Sequence, residues 1–334
     1  MKKSLIYLFS LLCMLTLVTS CSDDEKGGTD DAWKEISKDY TSDKLSIGTV
    51  STSGTISVNA ASADKATIIL NNVVAGESSV SVDATLTKTD AGYAFEGEST
   101  ATTCNVKVSG TIENGKLTAA ISRTLTSALA GTLNLNYVPY MNDMQIAQAH
   151  ARFNTGDAQM DAMLNGMAAP VVGQLIAKEV ESVTVNLGEE GTFSFSFKKV
   201  GASEETVMPP AKLQEMIKSY LTWYEKENVL YLAVHKDALT ILSGLNILPE
   251  NIDLETILGL LTVEGDYYTI PLQVKEEDGL TTIYLNKDIL VKAWEVAKPL
   301  VGNIQDETIQ SILAMVDQVM AKAKEIEFGL VFKK

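Results

Sequence analysis

Few of the side chains that commonly carry catalysis or hold metals occur in this sequence. Its 334 residues include two histidines, His150 and His235, so a zinc site would have to draw most of its ligands from carboxylates. No His-Glu-x-x-His spacing, nucleophile elbow or glycine-rich phosphate loop is present in the sequence. We therefore predict no catalytic residue, no metal site, no cofactor and no enzymatic activity.

His235 is followed by Lys236 and Asp237, and this run has a counterpart 51 residues later. Residues 229–239 and 280–290 both show a strand pattern, then Lys-Asp, then a helix pattern. We predict that Asp237 and Asp288 cap the helices that follow them, by accepting hydrogen bonds from the first free amides. Two explanations fit this similarity: an internal duplication, or a junction sequence that commonly joins a strand to a helix.

Carboxylates are abundant, with 43 acidic residues against 27 basic ones and a net charge of −16. This charge would repel a phosphate backbone, which excludes nucleic acid as a partner. A carboxylate-dependent hydrolase stays open as an alternative, because two acids about 5 to 10 Å apart are a requirement of space and not of sequence. The acidic pairs at 189–190 and 204–205 and the run at 276–278 indicate solvated turns.

The first twenty residues predict export. Lys2 and Lys3 precede an apolar stretch from Leu5 to Val18, which has the size of a signal peptide and is short for a membrane span. The stretch ends in Val18-Thr19-Ser20-Cys21, which resembles the lipobox of bacterial lipoproteins. The resemblance implies cleavage before Cys21 and its lipidation, hence a membrane anchor. An ordinary signal peptide that precedes a cysteine is the alternative.

Ser22, Asp23, Asp24 and Glu25 follow the lipidation site and resemble the export signal that sends Bacteroidota lipoproteins to the outer face of the outer membrane. The resemblance implies an outer-membrane location facing the extracellular side; a solvated acidic linker is the other interpretation. We expect residues 21–40 to form an acidic tether. As a flexible coil it would reach on the order of 25 Å.

Cysteine usage adds no redox framework. Cys13 leaves with the signal peptide and Cys21 is assigned to lipid, so Cys104 has no partner for an internal disulfide. It alternates with Val106 and Val108, which predicts a buried core residue.

The composition changes near residue 139. Residues 41–138 contain neither proline nor methionine, whereas all seven prolines lie from Pro139 onward. We predict an all-β domain over residues 41–138 and an α+β domain over residues 139–334.

The first domain is predicted to be an antiparallel meander or barrel of about eight strands, because short alternating runs recur between turn residues. Asn114-Gly115 separates two such runs and favours a type I′ hairpin. Thr89 to Gly92 supplies a second turn. The other candidate strands are 45–50, 54–60, 66–73, 80–86, 92–100 and 133–137.

The second domain mixes helices with strands of an antiparallel sheet. Helical stripes are predicted at 158–177, where Pro170 must kink the helix or start a new one, at 213–224 after Pro209-Pro210, and at 309–323. Strands are predicted at 182–187, 192–199, 229–234, 267–274, 281–285 and 326–332.

The lipobox, the acidic tether and the Ser/Thr-rich β domain with Tyr93-Ala-Phe-Glu-Gly97 and Ser109-Gly-Thr-Ile-Glu-Asn-Gly-Lys116 resemble a family of Bacteroidota lipoproteins built from domains of unknown function. The first domain of that family is similar to calycin-like β-barrels, many of which bind apolar ligands. The resemblance implies a non-enzymatic module that binds an apolar small molecule or a glycan at the cell surface. A structural or adhesive surface protein is the alternative.

Overall fold

The computed structural model describes residues 31–48, 50–209, 219–239, 258–301 and 307–334. The signal peptide, Cys21 and the export signal at 22–25 lie outside the described residues, and so does the first half of the predicted helical stripe at 213–224.

The described chain is mostly β-structure with a few helices packed on sheets, which confirms the predicted α+β class. The helices with described bounds are α1 (Ala32–Glu35), α2 (Ala158–Glu179), α3 (Lys287–Val301) and α4 (Glu307–Lys322). The strands are β1 (Asp39–Tyr40), β2 (Leu45–Ile47), β3 (Thr55–Ala60), β4 (Lys65–Val74), β5 (Glu77–Lys88), β6 (Gly92–Thr100), β7 (Cys104–Glu113), β8 (Lys116–Leu125), β9 (Gly131–Leu135), β10 (Tyr137–Pro139), β11 (Gln145–Ala147), β12 (Ala149–Asn154), β13 (Val180–Leu187), β14 (Phe193–Lys199), β15 (Thr206–Met208), β16 (Leu221–Lys226), β17 (Val229–His235), β18 (Thr262–Glu264), β19 (Tyr267–Glu277), β20 (Leu280–Asn286) and β21 (Glu325–Lys333).

The first sheet is a nearly closed, eight-stranded barrel in the order β1-β3-β4-β5-β6-β7-β8-β2. All neighbours are antiparallel except β2 and β8. The hairpin at Asn114-Gly115 forms as predicted, with both residues at positive φ between β7 and β8. The two edge strands, β1 and β2, are separated in sequence by one short 3-10 helix, Ser42–Lys44.

Side chains fill the inside of the barrel. Every second residue of the long strands is buried, which is the two-residue period of a strand with one face in a core. Ile68, Val82 and Val106 have no exposed surface, and neither does Cys104, whose predicted burial is confirmed. The barrel is therefore a packed core without room for a ligand.

The strands that form the barrel are not all the ones that were predicted. The predicted strand at 133–137 is divided between β9, which joins the second sheet, and β10, which pairs with β11. Its place in the barrel is taken by β1, from the segment assigned to the tether. Ile36 and Tyr40 are buried, so the folded body begins before residue 41. The passage from one sheet to the other falls between β8 and β9, ahead of the composition change at residue 139.

The second sheet has eleven strands, in the order β15-β14-β13-β9-β21-β20-β19-β17-β16, with β12 beside β21 and β18 beside β19. We call it the large sheet. All its pairings are antiparallel, as predicted. The predicted helix at 158–177 is one helix, α2, which continues through Pro170 and is capped by Asp157.

Part of the predicted helical stripe at 213–224 is wrong. Its last residues, Leu221 and Tyr224, belong to strand β16. Trp223 and Tyr224 are consecutive and both fully buried, because β16 packs on both of its faces. A strand with two buried faces lacks the alternation that sequence analysis relies on.

The predicted caps at Asp237 and Asp288 are also wrong. Asn286 Oδ1 accepts from the amide of Ile289 at the start of α3. His235 Nδ1 stands in the matching position of the echo and accepts from the amide of Asp237. In both segments the residue just before the Lys-Asp pair therefore accepts the bond from the helix amide. The carboxylate of Asp237 instead accepts hydrogen bonds from Ser51.

Candidate functional site

One face of the large sheet is apolar across most of its width. Residues paired directly across neighbouring strands point to the same side of a sheet, so the register identifies this face. Phe195 pairs with Val185, and Val185 pairs with Leu133. Farther along the sheet, Leu330, Ile283 and Val274 form one such row. We call this surface the open face; its members include Val183, Val185, Phe193, Phe195, Phe197, Ile270, Leu272, Val274, Ile283, Leu285, Phe328 and Leu330.

These side chains are incompletely covered. All twelve are half-buried except Phe195, which is 41% exposed, whereas Leu133, Leu187 and Phe332 on the same face are buried. The inward residues of the barrel, by contrast, are almost all buried. A large apolar surface that keeps contact with water is the usual mark of a binding surface.

Helices cover one corner of the open face. Val319 and Ala323 at the end of α4 pack on Ile326 of β21, with Leu164 of α2 and Leu290 of α3 against them. Trp294 of α3 donates to Asp317 of α4, which ties these two helices together. The helices therefore pack on the open face next to its half-buried side chains.

The opposite face of the same strands is polar. The carboxylate of Glu327 accepts from Arg152 at 2.7 Å and lies 2.8 Å from Nε2 of His150. The ring of His150 lies 5.2 Å from that of Tyr284. The sheet thus separates a charged surface from an apolar one, so an apolar ligand would meet only one side of it.

A polar cluster joins the barrel to the large sheet. Asp237 accepts from both the amide and the hydroxyl of Ser51, each at 2.7 Å. Asp266 accepts from the amide of Ser53 at 2.8 Å and from its hydroxyl at 2.7 Å. We call this pair of double hydrogen bonds the serine clasp.

Asp266 is the buried member of the clasp. Burial by itself would raise the pKa of its carboxyl, but hydrogen bonds from Lys236 and Ser53 outweigh burial and lower the pKa to about 2. Burial and the bonds from Ser51 oppose each other in the same way at Asp237, and its pKa is also lowered. A general acid requires a raised pKa, so these two carboxylates are suited to holding the clasp and not to proton donation.

His235, Asp237 and Ser51 do not form a catalytic triad. The hydroxyl of Ser51 donates directly to Asp237, whereas a triad places the histidine between serine and carboxylate. His235 is buried between the rings of Tyr220 and Tyr267, and this burial lowers its pKa.

Arg123 closes the end of the barrel that faces the large sheet. Its guanidinium donates to the carbonyl oxygens of Ala75 and Trp223 and to the hydroxyl of Thr222. Burial lowers its pKa. Gly76 lies against the ring of Tyr224, where a Cβ would come within 2.7 Å of the ring. These contacts make the junction a packed interface.

Two polar concavities lie outside the open face. A cleft of about 310 Å³ at the junction is bordered by Glu77, Tyr224 and Glu264, of which Tyr224 donates to Glu264 and Glu77 accepts from Thr103. A shallow groove of about 650 Å³ on the outside of the barrel is lined by charged and small residues without an aromatic ring. It lacks the stacking surface that sugar rings prefer.

The sequence-derived candidates are placed as follows. Cys21, Ser22, Asp23, Asp24 and Glu25 lie outside the described residues. Among the aromatic side chains that could stack on a sugar ring, Trp223 is buried in the core, where its indole donates to the carbonyl of Gly188. In the described part of the chain, no group of three His, Cys, Asp or Glu side chains is arranged to hold a metal ion. None of the helices there is long and apolar enough to cross a membrane.

Sequence reasoning missed Asp266, Arg123 and the two serines of the clasp. Asp266 and Ser53 are more than two hundred residues apart, so no local spacing connects them. The open face gave only a partial signal, because its strands were recognised while their pairing was not.

No protein-family model matches this chain, and no curated protein or solved structure is significantly similar to it.

Proposed function

We propose that the chain is an outward-facing outer-membrane lipoprotein, anchored through Cys21, that binds an apolar small molecule on the open face without covalent chemistry. The observation that carries the binding part is the incomplete coverage of the open face. Covering the exposed part of these apolar side chains with a hydrocarbon ligand would be favourable, at roughly 0.8 kcal/mol for each methylene group removed from water. The anchor rests on the sequence at residues 18–25.

The binding surface is assigned to the large sheet because the barrel interior is filled. Calycin barrels hold ligands inside the barrel, but here Ile68, Val82 and Val106 occupy that space. The glycan alternative has less support, since the outer groove is lined by no aromatic ring and the two rings that border the junction cleft, Tyr224 and Tyr267, are packed against other rings. The ring of Tyr224 is stacked on Tyr231 and covered by Gly76.

The first experiment is native mass spectrometry of the mature chain purified from its own culture. We expect a stoichiometric adduct whose extract is a hydrocarbon-rich molecule, and a protein delipidated by solvent should take up palmitate as a probe. A bare chain that also fails to take up palmitate would refute the binding function.

A pair of neighbouring variants assigns the binding to the open face. Val274 points into the open face and Gln273 points to the opposite side of the same strand. Val274→Glu should weaken palmitate binding about tenfold by placing a charge against the chain. Gln273→Glu adds the same charge and should leave binding unchanged, and urea unfolding of both variants controls for loss of fold.

A structural or adhesive role is the second candidate, and the edge of the large sheet favours it. β15 is an edge strand whose Val207 and Met208 are exposed beside Phe195. Such an edge can accept a strand from another chain. If the mature chain carries no ligand, cross-linking through this edge at the cell surface is the measurement that would support adhesion.

A further inference from the structure

Helix α2 carries an exposed apolar stripe that the open face does not explain. Met163, Met167, Val171 and Leu175 follow one another at intervals of four residues, so each lies one turn above the last. Their exposed fractions are 48%, 59%, 47% and 56%. We call these four residues the α2 stripe.

The other side of α2 already packs on the protein. Leu164 joins the cluster around Ile326, and Gly173 meets the backbone of Ala147, where a Cβ would lie 2.2 Å from the carbonyl oxygen. A surface helix normally turns a polar side to water, but α2 is apolar on both sides. Packing on the large sheet therefore leaves about half of each stripe side chain uncovered.

The charges around the stripe indicate what covers it. From Ala162 to Ala177 the sequence contains no charged residue, although the chain as a whole carries a net charge of −16. Charged residues stand only at the ends, with Asp161 before the segment and Lys178 and Glu179 after it. A protein partner usually meets a charged rim around an apolar centre, whereas acyl chains exclude charge along the whole contact.

The chain before the folded body also bears on the partner. The first described helix begins at Ala32, so ten residues separate it from Cys21. Ten residues span at most about 35 Å when fully extended. An anchor at Cys21 would keep the body within that distance of a bilayer.

We propose that the α2 stripe is a membrane-contact surface, which inserts into the acyl border of the bilayer that holds the Cys21 anchor. The inference rests on the anchor in the proposed function. The helix would lie in the plane of the membrane without spanning it; unlike an amphipathic interfacial helix, it has no charged face, and its opposite side packs on the protein. It would present the chain to the membrane in one orientation.

Methionine oxidation tests the contact. The mature lipidated chain in phosphatidylcholine vesicles is compared with the unlipidated Cys21→Ser chain free in solution, both treated with hydrogen peroxide. Peptide mass spectrometry should show oxidation of Met163 and Met167 slowed about fivefold or more in vesicles. Met208, an exposed methionine on β15, is the internal control and should be oxidised equally in both.

A charge variant tests the same surface from the other side. In the Cys21→Ser chain, Met163→Glu combined with Met167→Glu should reduce co-flotation with the vesicles about tenfold. Ala162→Glu adds a charge to an exposed neighbouring position outside the stripe and should leave flotation as it was. Equal flotation of the two variants would overturn the proposal.

The outcomes separate the anchor from the stripe. A mature chain whose mass lacks lipid on Cys21 refutes the anchor in the proposed function. A lipidated chain with unchanged oxidation at Met163 and Met167 refutes the stripe alone. Protection without vesicles that grows with protein concentration would show a second copy on the stripe, which also overturns the membrane assignment.

Discussion

The barrel and the large sheet use similar residues to different ends. Both present rows of Val, Ile, Leu and Phe on one face, but the barrel curls until it is nearly closed and buries that face against its own opposite wall. The large sheet does not close, and the helices in the described part of the chain leave many of its apolar side chains half-buried. The same alternation of apolar and polar residues therefore produces a core in one region and a surface in the other. What distinguishes them is closure.

The strongest test of this contrast compares one isoleucine from each region. Ile68→Ala should destabilise the protein by about 4 kcal/mol, because it leaves a cavity in a closed core. Ile283→Ala on the open face should cost only about 1.5 kcal/mol, since part of that side chain already contacts water. Urea unfolding measures both, and equal losses would contradict the difference in coverage.

The junction between the regions should show the next largest effect. Asp266→Ala removes the acceptor of Ser53 and Lys236 at a buried site and should cost about 3 kcal/mol. Asp64→Ala, at an exposed turn of the barrel where the carboxylate accepts from Ser62, should leave the free energy of unfolding nearly unchanged. If the two variants unfold alike, the clasp does not hold the regions together.

The smallest expected effect is a pH dependence at the same junction. Burial lowers the pKa of His235, so below about pH 6.5 the unfolded chain binds a proton that the folded chain resists. The contribution of His235 to the free energy of unfolding is therefore fully present above that pH and declines as the pH falls toward the pKa of His235 in the folded state. Unfolding at pH 7.5 and 5.5 should show a smaller difference in His235→Phe, which keeps the ring between Tyr220 and Tyr267. An unchanged difference would assign the effect to other groups.

Local sequence patterns were sufficient to predict a strand wherever one of its faces is exposed to water. Asn114-Gly115 predicted its hairpin because the turn needs residues that tolerate positive φ, and the neighbouring strands alternate cleanly. The helix at Ala158–Glu179 was predicted from its composition, although its apolar stripe faces outward and not toward a core.

Patterns failed where distant segments decide the outcome. Leu133 and Leu135 alternate as a barrel strand would, yet they pair with β13 and β21 in the large sheet. Tyr224 has helical spacing with its predecessors but is held in a strand by contacts with the barrel on one side. Asp266 carries no local signal because its partner, Ser53, lies in a different region. Pairing and long-range hydrogen bonds are set by the fold as a whole.

The position of β21 has a consequence for how the molecule assembles. β21 follows every other described strand in sequence, yet it lies in the middle of the large sheet and pairs with β9, β12 and β20. The barrel is built from consecutive hairpins and can form as soon as β8 has emerged, whereas the large sheet must wait for the final segment to insert. Until β21 is in place, a finished barrel would be followed by unpaired strands, and in that interval the apolar rows of the large sheet are open to aggregation.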